Sequence, residues 1–70
     1  MTTIELGALI RQVRKQQGLT QQELAAVANV STRFLHDLES GKSGVALGLV
    51  LQVLAALGVN LHCDVPELAP

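Results

Sequence analysis

A chain of 70 residues with five Lys and Arg, six Asp and Glu and a net charge of -1 makes one domain, and not a strongly basic one. Its single cysteine excludes an intramolecular disulfide, no Cys and His cluster has metal-finger spacing, and so small a core is marginal alone, which leaves oligomerisation as the expected support. Apolar residues make up 49% but Phe34 is the only aromatic, so the core must be Leu, Val, Ile and Ala, which suits an all-α fold of small, closely packed helices.

The first helix is expected to start after Thr2, capped by that hydroxyl with Glu5 returning the bond, and to end near Gln17, where Gly18 supplies a left-handed residue. Leu6, Ile10 and Val13 share one of its faces. A second helix repeats the start signal with Thr20 and Glu23 and buries Leu24, Ala25 and Ala28. Asn29 falls where the next turn needs positive φ, and Val30 plugs the angle between the helices. Ser31 caps a third helix running to about Ser40, with Leu35 and Leu38 inward, and Gly41 ends it. The fourth, roughly Ala46 to Leu57, carries one stripe of Leu47, Val50, Leu51 and Leu54 and another of Leu49, Val53 and Ala56, so it must be covered on both sides. Gly48 inside it is unfavourable by about 1 kcal/mol relative to alanine unless another backbone comes close there. After Gly58 the period drops to two: Val59, Leu61, Cys63 and Val65 alternate with polar residues until Pro66. This predicts a terminal β-strand over about 59–65, paired with its symmetry mate in a homodimer. The expected dimer interface is Leu49, Val53, Ala56, Val59, Leu61, Cys63 and Val65. The domain spans 1–70.

Two helical patterns separated by Ala28-Asn29-Val30, within GLTQQELAAVANVSTRFLHDLE, have the spacing of a helix-turn-helix, which inserts its second helix into the major groove of DNA. All five cations, Arg11, Arg14, Lys15, Arg33 and Lys42, lie between residues 11 and 42 with only three acids, while the flanks hold Glu5, Asp64 and Glu67. That distribution suits DNA, yet too weakly for one copy to hold it firmly, which again argues for a dimer. Base-contact candidates are Ser31, Thr32, Arg33, His36 and Asp37, near the start of the recognition helix. Arg33 either forks onto guanine or grips phosphate, and Asp37 is better suited to orienting a neighbour than to meeting DNA. Phosphate-contact candidates are Gln21, at a helix N-terminus, with Lys42, Ser43 and more weakly Arg11. Cys63 reads as a small buried hydrophobe, with an intersubunit disulfide as the minority alternative. His36 and His62 are too dispersed for a metal site, and no catalytic constellation or phosphate loop is present, so no metal, cofactor or enzymatic activity is expected. No apolar run reaches membrane-spanning length and MTTIELG lacks signal-peptide character, so a cytoplasmic protein is expected.

Residues 6–42, LGALIRQVRKQQGLTQQELAAVANVSTRFLHDLESGK, resemble the Xre family of phage-repressor-like helix-turn-helix regulators. The family-like pieces are Arg14 before Gly18, Leu19-Thr20-Gln21, Glu23-Leu24-Ala25, Asn29-Val30-Ser31, and Glu39 before Gly41-Lys42. The tail LGVNLHCDV is similar to the C-terminal strand of HipB-type antitoxins, which pairs across the dimer in that family. Departures are Asn29, where glycine is usual, and a Ser43–Ala46 loop without the frequent proline. The resemblance implies a phage-repressor-like four-helix domain and a salt bridge from Arg14 to Glu39. It further implies a homodimeric repressor of its own operon, bound to an inverted-repeat operator, with a HipA-like serine/threonine kinase toxin as partner. A stand-alone Xre regulator without a toxin, or an interaction module that has lost DNA binding, remains the alternative.

Overall fold

The computed structural model describes residues 1–67, which form four helices: α1 (Thr3–Gln16), α2 (Gln21–Ala28), α3 (Thr32–Glu39) and α4 (Leu47–Leu57). Local chemistry sets the boundaries. Thr2 Oγ1 accepts from Glu5 N at 3.1 Å while Glu5 Oε1 accepts from Thr2 N at 3.0 Å, and Thr20 and Glu23 repeat the box at 3.1 and 2.9 Å. Ser31 Oγ accepts from Phe34 N at 2.9 Å. At the other ends, one closure recurs four times: an N–H two or three residues past each helix reaches back five residues to a last-turn carbonyl, Leu19 to Arg14, Val30 to Ala25, Lys42 to Asp37 and Val59 to Leu54, over 2.9–3.1 Å. Three of those closing residues, Leu19, Val30 and Val59, press on the core, as the motif prefers. Asn29, at φ 58, is the left-handed residue in the turn between α2 and α3, where its short polar side chain tolerates what a branched residue would not.

The hydrogen bonds at Thr2 and Thr20 hold the Glu5 and Glu23 carboxyls below their ordinary range. A depressed folded-state pKa contributes stability that is fully present above the unfolded value, about 4.3, and is lost as pH falls through the folded one. Urea unfolding at neutral and strongly acid pH should therefore show Glu23→Ala losing less stability on acidification than the wild type. An equal loss would mean that this box does not hold in solution.

The core is made by Ile10 of α1, Leu24, Ala25 and Ala28 of α2, Leu35 and Leu38 of α3, and Val50, Val53, Leu54 and Leu57 of α4. Here the register of α4 departs from expectation. Val53, assigned above to a dimer interface, is 0% exposed at the centre of this chain's own core and offers no surface to a second copy. Leu49 and Ala56 are half-buried, whereas Leu47 and Leu51, expected inward, are 69% and 46% exposed. A helix apolar on all sides carries no phase of its own, so the neighbouring helices choose the inward stripe, and they take Val50, Val53, Leu54 and Leu57. Gly48 lies on the outward side with nothing within 4 Å of where a Cβ would stand.

No β-strand is present among the described residues. Residues 60–67 are exposed, and the body and tail together measure 48 × 23 × 19 Å with a radius of gyration of 13.3 Å. A compact chain of this length has a radius near roughly 11 Å, so the tail stands off the helices. Cys63, expected buried, is exposed with it.

Candidate nucleic-acid interface

Three contacts from α1 fix where α3 points. Arg14 Nε donates to Glu39 Oε2 at 2.7 Å and Nη2 to Oε1 at 2.9 Å, the fork that the resemblance implied, while Nη1 donates to the Leu19 carbonyl at 2.8 Å. Both side chains are more than nine-tenths buried, and the hydrogen bonds to Glu39 push the guanidinium's already high pKa further up, so it stays charged. Gly7 lies against the last turn of α3 so closely that a Cβ there would collide with the Leu38 carbonyl oxygen. Thr3 Oγ1 donates to the Gly41 carbonyl at 2.9 Å. At the far end of α1, Gln17 Nε2 donates to the Leu57 carbonyl at 2.7 Å and so ties down the end of α4.

With α3 fixed, its first turn stands free. Ser31, Thr32, Arg33 and His36 are exposed, and Arg33 presents a side chain 82% accessible to solvent. Asp37 is mostly covered, with Arg33 Nε 3.4 Å from one carboxylate oxygen and Lys42 Nζ 3.5 Å from the other. Ion pairs this long and exposed add little stability. Asp37 thus lies between two cations along one edge of α3. Lys42 differs from the other three helix-closing residues in being a cation where they are apolar, so it projects outward. Ser43 is exposed beside it.

The side chain of Gln21, expected to face phosphate, instead turns inward: its Nε2 donates to Glu39 Oε1 at 3.2 Å. The carboxylate has capacity for this donor beside the Arg14 fork. At the start of α2, Glu23 N–H goes to Thr20 Oγ1 and Leu24 N–H to the Thr20 carbonyl. Helix geometry leaves the Gln21 and Gln22 N–H groups as the outward donors. Beside them, Arg11, Arg14, Gln21, His36, Glu39 and Ser40 line an open depression of about 330 Å³. Arg11 and His36 are thus brought together, away from the first turn of α3.

Sequence reasoning missed Gly7, Gln17, Thr3 and Ser40. An isolated glycine inside a helical pattern was a signal for Gly7, because it is unfavourable there unless something approaches. The other three act through backbone carbonyls distant in sequence, or through a surface shared by helices, and carry no local signal. No group of His, Cys, Asp and Glu among the described residues could hold a metal, and no described helix is long and apolar enough to cross a membrane.

Two short helices joined by a tight left-handed turn, the second braced from behind and exposed at its start, define a helix-turn-helix domain. The sequence pattern of the helix-turn-helix family matches residues 10–62, and the chain belongs to that family. It is 52% identical over 69 residues to an uncharacterized HTH-type transcriptional regulator, y4mF, of Sinorhizobium fredii, covering 99% of this chain and 86% of that one. Its fold superimposes on a chain of the HipA-HipB-O2-O3 complex with a TM-score of 0.85, covering 96% of this chain and 94% of that one at 21% identity. It also matches the clp gene regulator ClgR of C. glutamicum, with a TM-score of 0.75 at 37% identity over 86% of this chain and 78% of that one. Fold and relatives together make this a DNA-binding protein of the transcriptional-regulator class.

Proposed function

We propose that the chain acts as a homodimeric, sequence-specific repressor of the HipB antitoxin type, bound in the cytoplasm to an inverted-repeat operator of its own operon, with a HipA-like serine/threonine kinase toxin as its protein partner. The observation that carries the DNA-binding part is Arg33, whose side chain is 82% accessible in the first turn of α3. A guanidinium so placed can fork onto guanine O6 and N7, with Ser31 and Thr32 beside it, while Lys42, Ser43 and the α2 N–H groups grip phosphates. The fold likeness to the HipB chain supports the antitoxin reading.

Support for the dimer comes from Leu47 and Leu51, which leave α4 with an outward apolar edge around Gly48, and from an extended tail whose Leu61 and Val65 touch nothing in their own chain strongly enough to be covered. Half-sites about 34 to 36 Å apart should then appear as a symmetric footprint. Sedimentation should show a dimer that Leu51→Glu converts to monomer; a wild type that sediments as a monomer with and without duplex would refute the two-copy reading.

Arg33→Ala should relax base preference by about 1 to 3 kcal/mol at one position of each half-site, whereas Lys42→Ala should weaken all duplexes alike and lower the log–log salt slope by about 1. Equal effects of both substitutions in a competition binding assay would remove Arg33 from base reading. A chain with no affinity for any duplex would be an interaction module instead. Co-purification of a neighbouring kinase on this chain tests the toxin, and its failure with DNA binding intact would leave a stand-alone regulator.

A further inference from the structure

The depression between α1, α2 and α3 gathers charges in a particular way. Its floor is the Arg14–Glu39 fork, whose opposite charges pair and which also holds the Leu19 carbonyl and the Gln21 amide. Its rim holds Arg11 from α1 and His36 from α3, both exposed, with Ser40 one turn beyond His36. The groups facing His36 are therefore Arg11 and Arg14 on α1, Glu39 on its own helix, and from α2 only the uncharged Gln21 beside the free N–H groups of that helix's start. With the Arg14–Glu39 pair cancelling, the one unpaired charge on the rim is the Arg11 cation, and an imidazole adds a second cation when protonated.

Resting on the DNA-binding reading above, we propose that this depression seats a DNA backbone phosphate between Arg11 and His36, and that His36 takes up a proton as the phosphate enters, so that affinity for DNA is proton-linked. His36 is then a backbone contact and not a base reader. A phosphodiester has the charge and the acceptor oxygens that an Arg, an imidazolium and helix N–H groups satisfy together. An anion against an imidazole favours its charged form, so binding should tighten on acidification. Raising the bound-state pKa by about one unit corresponds to a tenfold change in affinity per chain.

The test measures binding of a mixed-sequence duplex two helical turns long at fixed ionic strength, at about pH 6 and about pH 8. The wild type should bind about tenfold tighter per bound chain at the lower pH, with a log–log salt slope steeper by about 0.9 per bound chain. His36→Gln should bind with the same affinity at both, close to the wild type at the higher pH, while His62→Gln should keep the full pH response. Arg11→Gln should weaken binding at both and shrink the response. A wild type indifferent to pH, or a response that survives in His36→Gln, overturns the phosphate seat while leaving DNA binding intact. No binding at either pH overturns both. Circular dichroism of each variant confirms the fold, which an exposed His36 does not support.

Discussion

Glu39→Ala should destabilise the fold by about 3 to 5 kcal/mol, because it leaves the Arg14 guanidinium buried with one carbonyl in place of a carboxylate fork. The Gln21 amide loses its acceptor in the same step. Few domains of this size can absorb such a loss, so the variant should be largely unfolded well below the midpoint temperature of the wild type. The effect comes from the uncompensated charge and not from any large net worth of the pair, so Arg14→Met combined with Glu39→Leu should recover most of it. Chemical denaturation of the three proteins decides the matter. A loss under about 1 kcal/mol for Glu39→Ala would show that the fork is solvated and does not brace α3. The double variant carries a second readout: if the fork also sets the recognition helix's angle, stability should return without full recovery of DNA affinity.

Gly7→Ala should destabilise by about 2 to 3 kcal/mol, the opposite of what helix propensity dictates for an exposed glycine. A Cβ at this position would collide with the Leu38 carbonyl oxygen and stand 2.8 Å from that of Glu39, both of them backbone atoms that cannot rotate away. The two helices would have to separate, loosening the Arg14–Glu39 fork as well. Gly48→Ala is the matched control. Nothing lies within 4 Å of its Cβ position in the chain, so alanine there should add up to about 1 kcal/mol to the stability of the single copy. Opposite signs at two helical glycines, measured by urea unfolding, would establish that α1 and α3 touch through Gly7. A stabilised Gly7→Ala would remove that contact.

The parts of this molecule that could be read in advance are those whose cause lies within a few residues. Thr2 with Glu5, Thr20 with Glu23, Ser31, and the left-handed positions at Gly18, Asn29 and Gly41 mark helix ends because each bonds to backbone three or four residues away. The same locality made the helix-turn-helix spacing and the exposed Arg33 legible, since a capped helix start projects its first turn whatever lies behind it. The expected strand over 59–65 belongs to a different case. Its alternation is plain in the sequence, but a strand exists only against a partner, and one chain contains none among its described residues.

Sequence alone thus determined where the helices begin and end, how the turn is made, and which face of α3 meets solvent, because capping, chirality and periodicity act over one turn of chain. Only the tertiary structure decided that Val53 and not Leu51 faces inward, that Gln21 turns to Glu39, that Gly7 admits the backbone of α3, and that His36 joins Arg11 at one depression. Each of these depends on which of several acceptable neighbours is nearest once the helices have packed, and a side chain compatible with all of them carries no mark of the one it will meet.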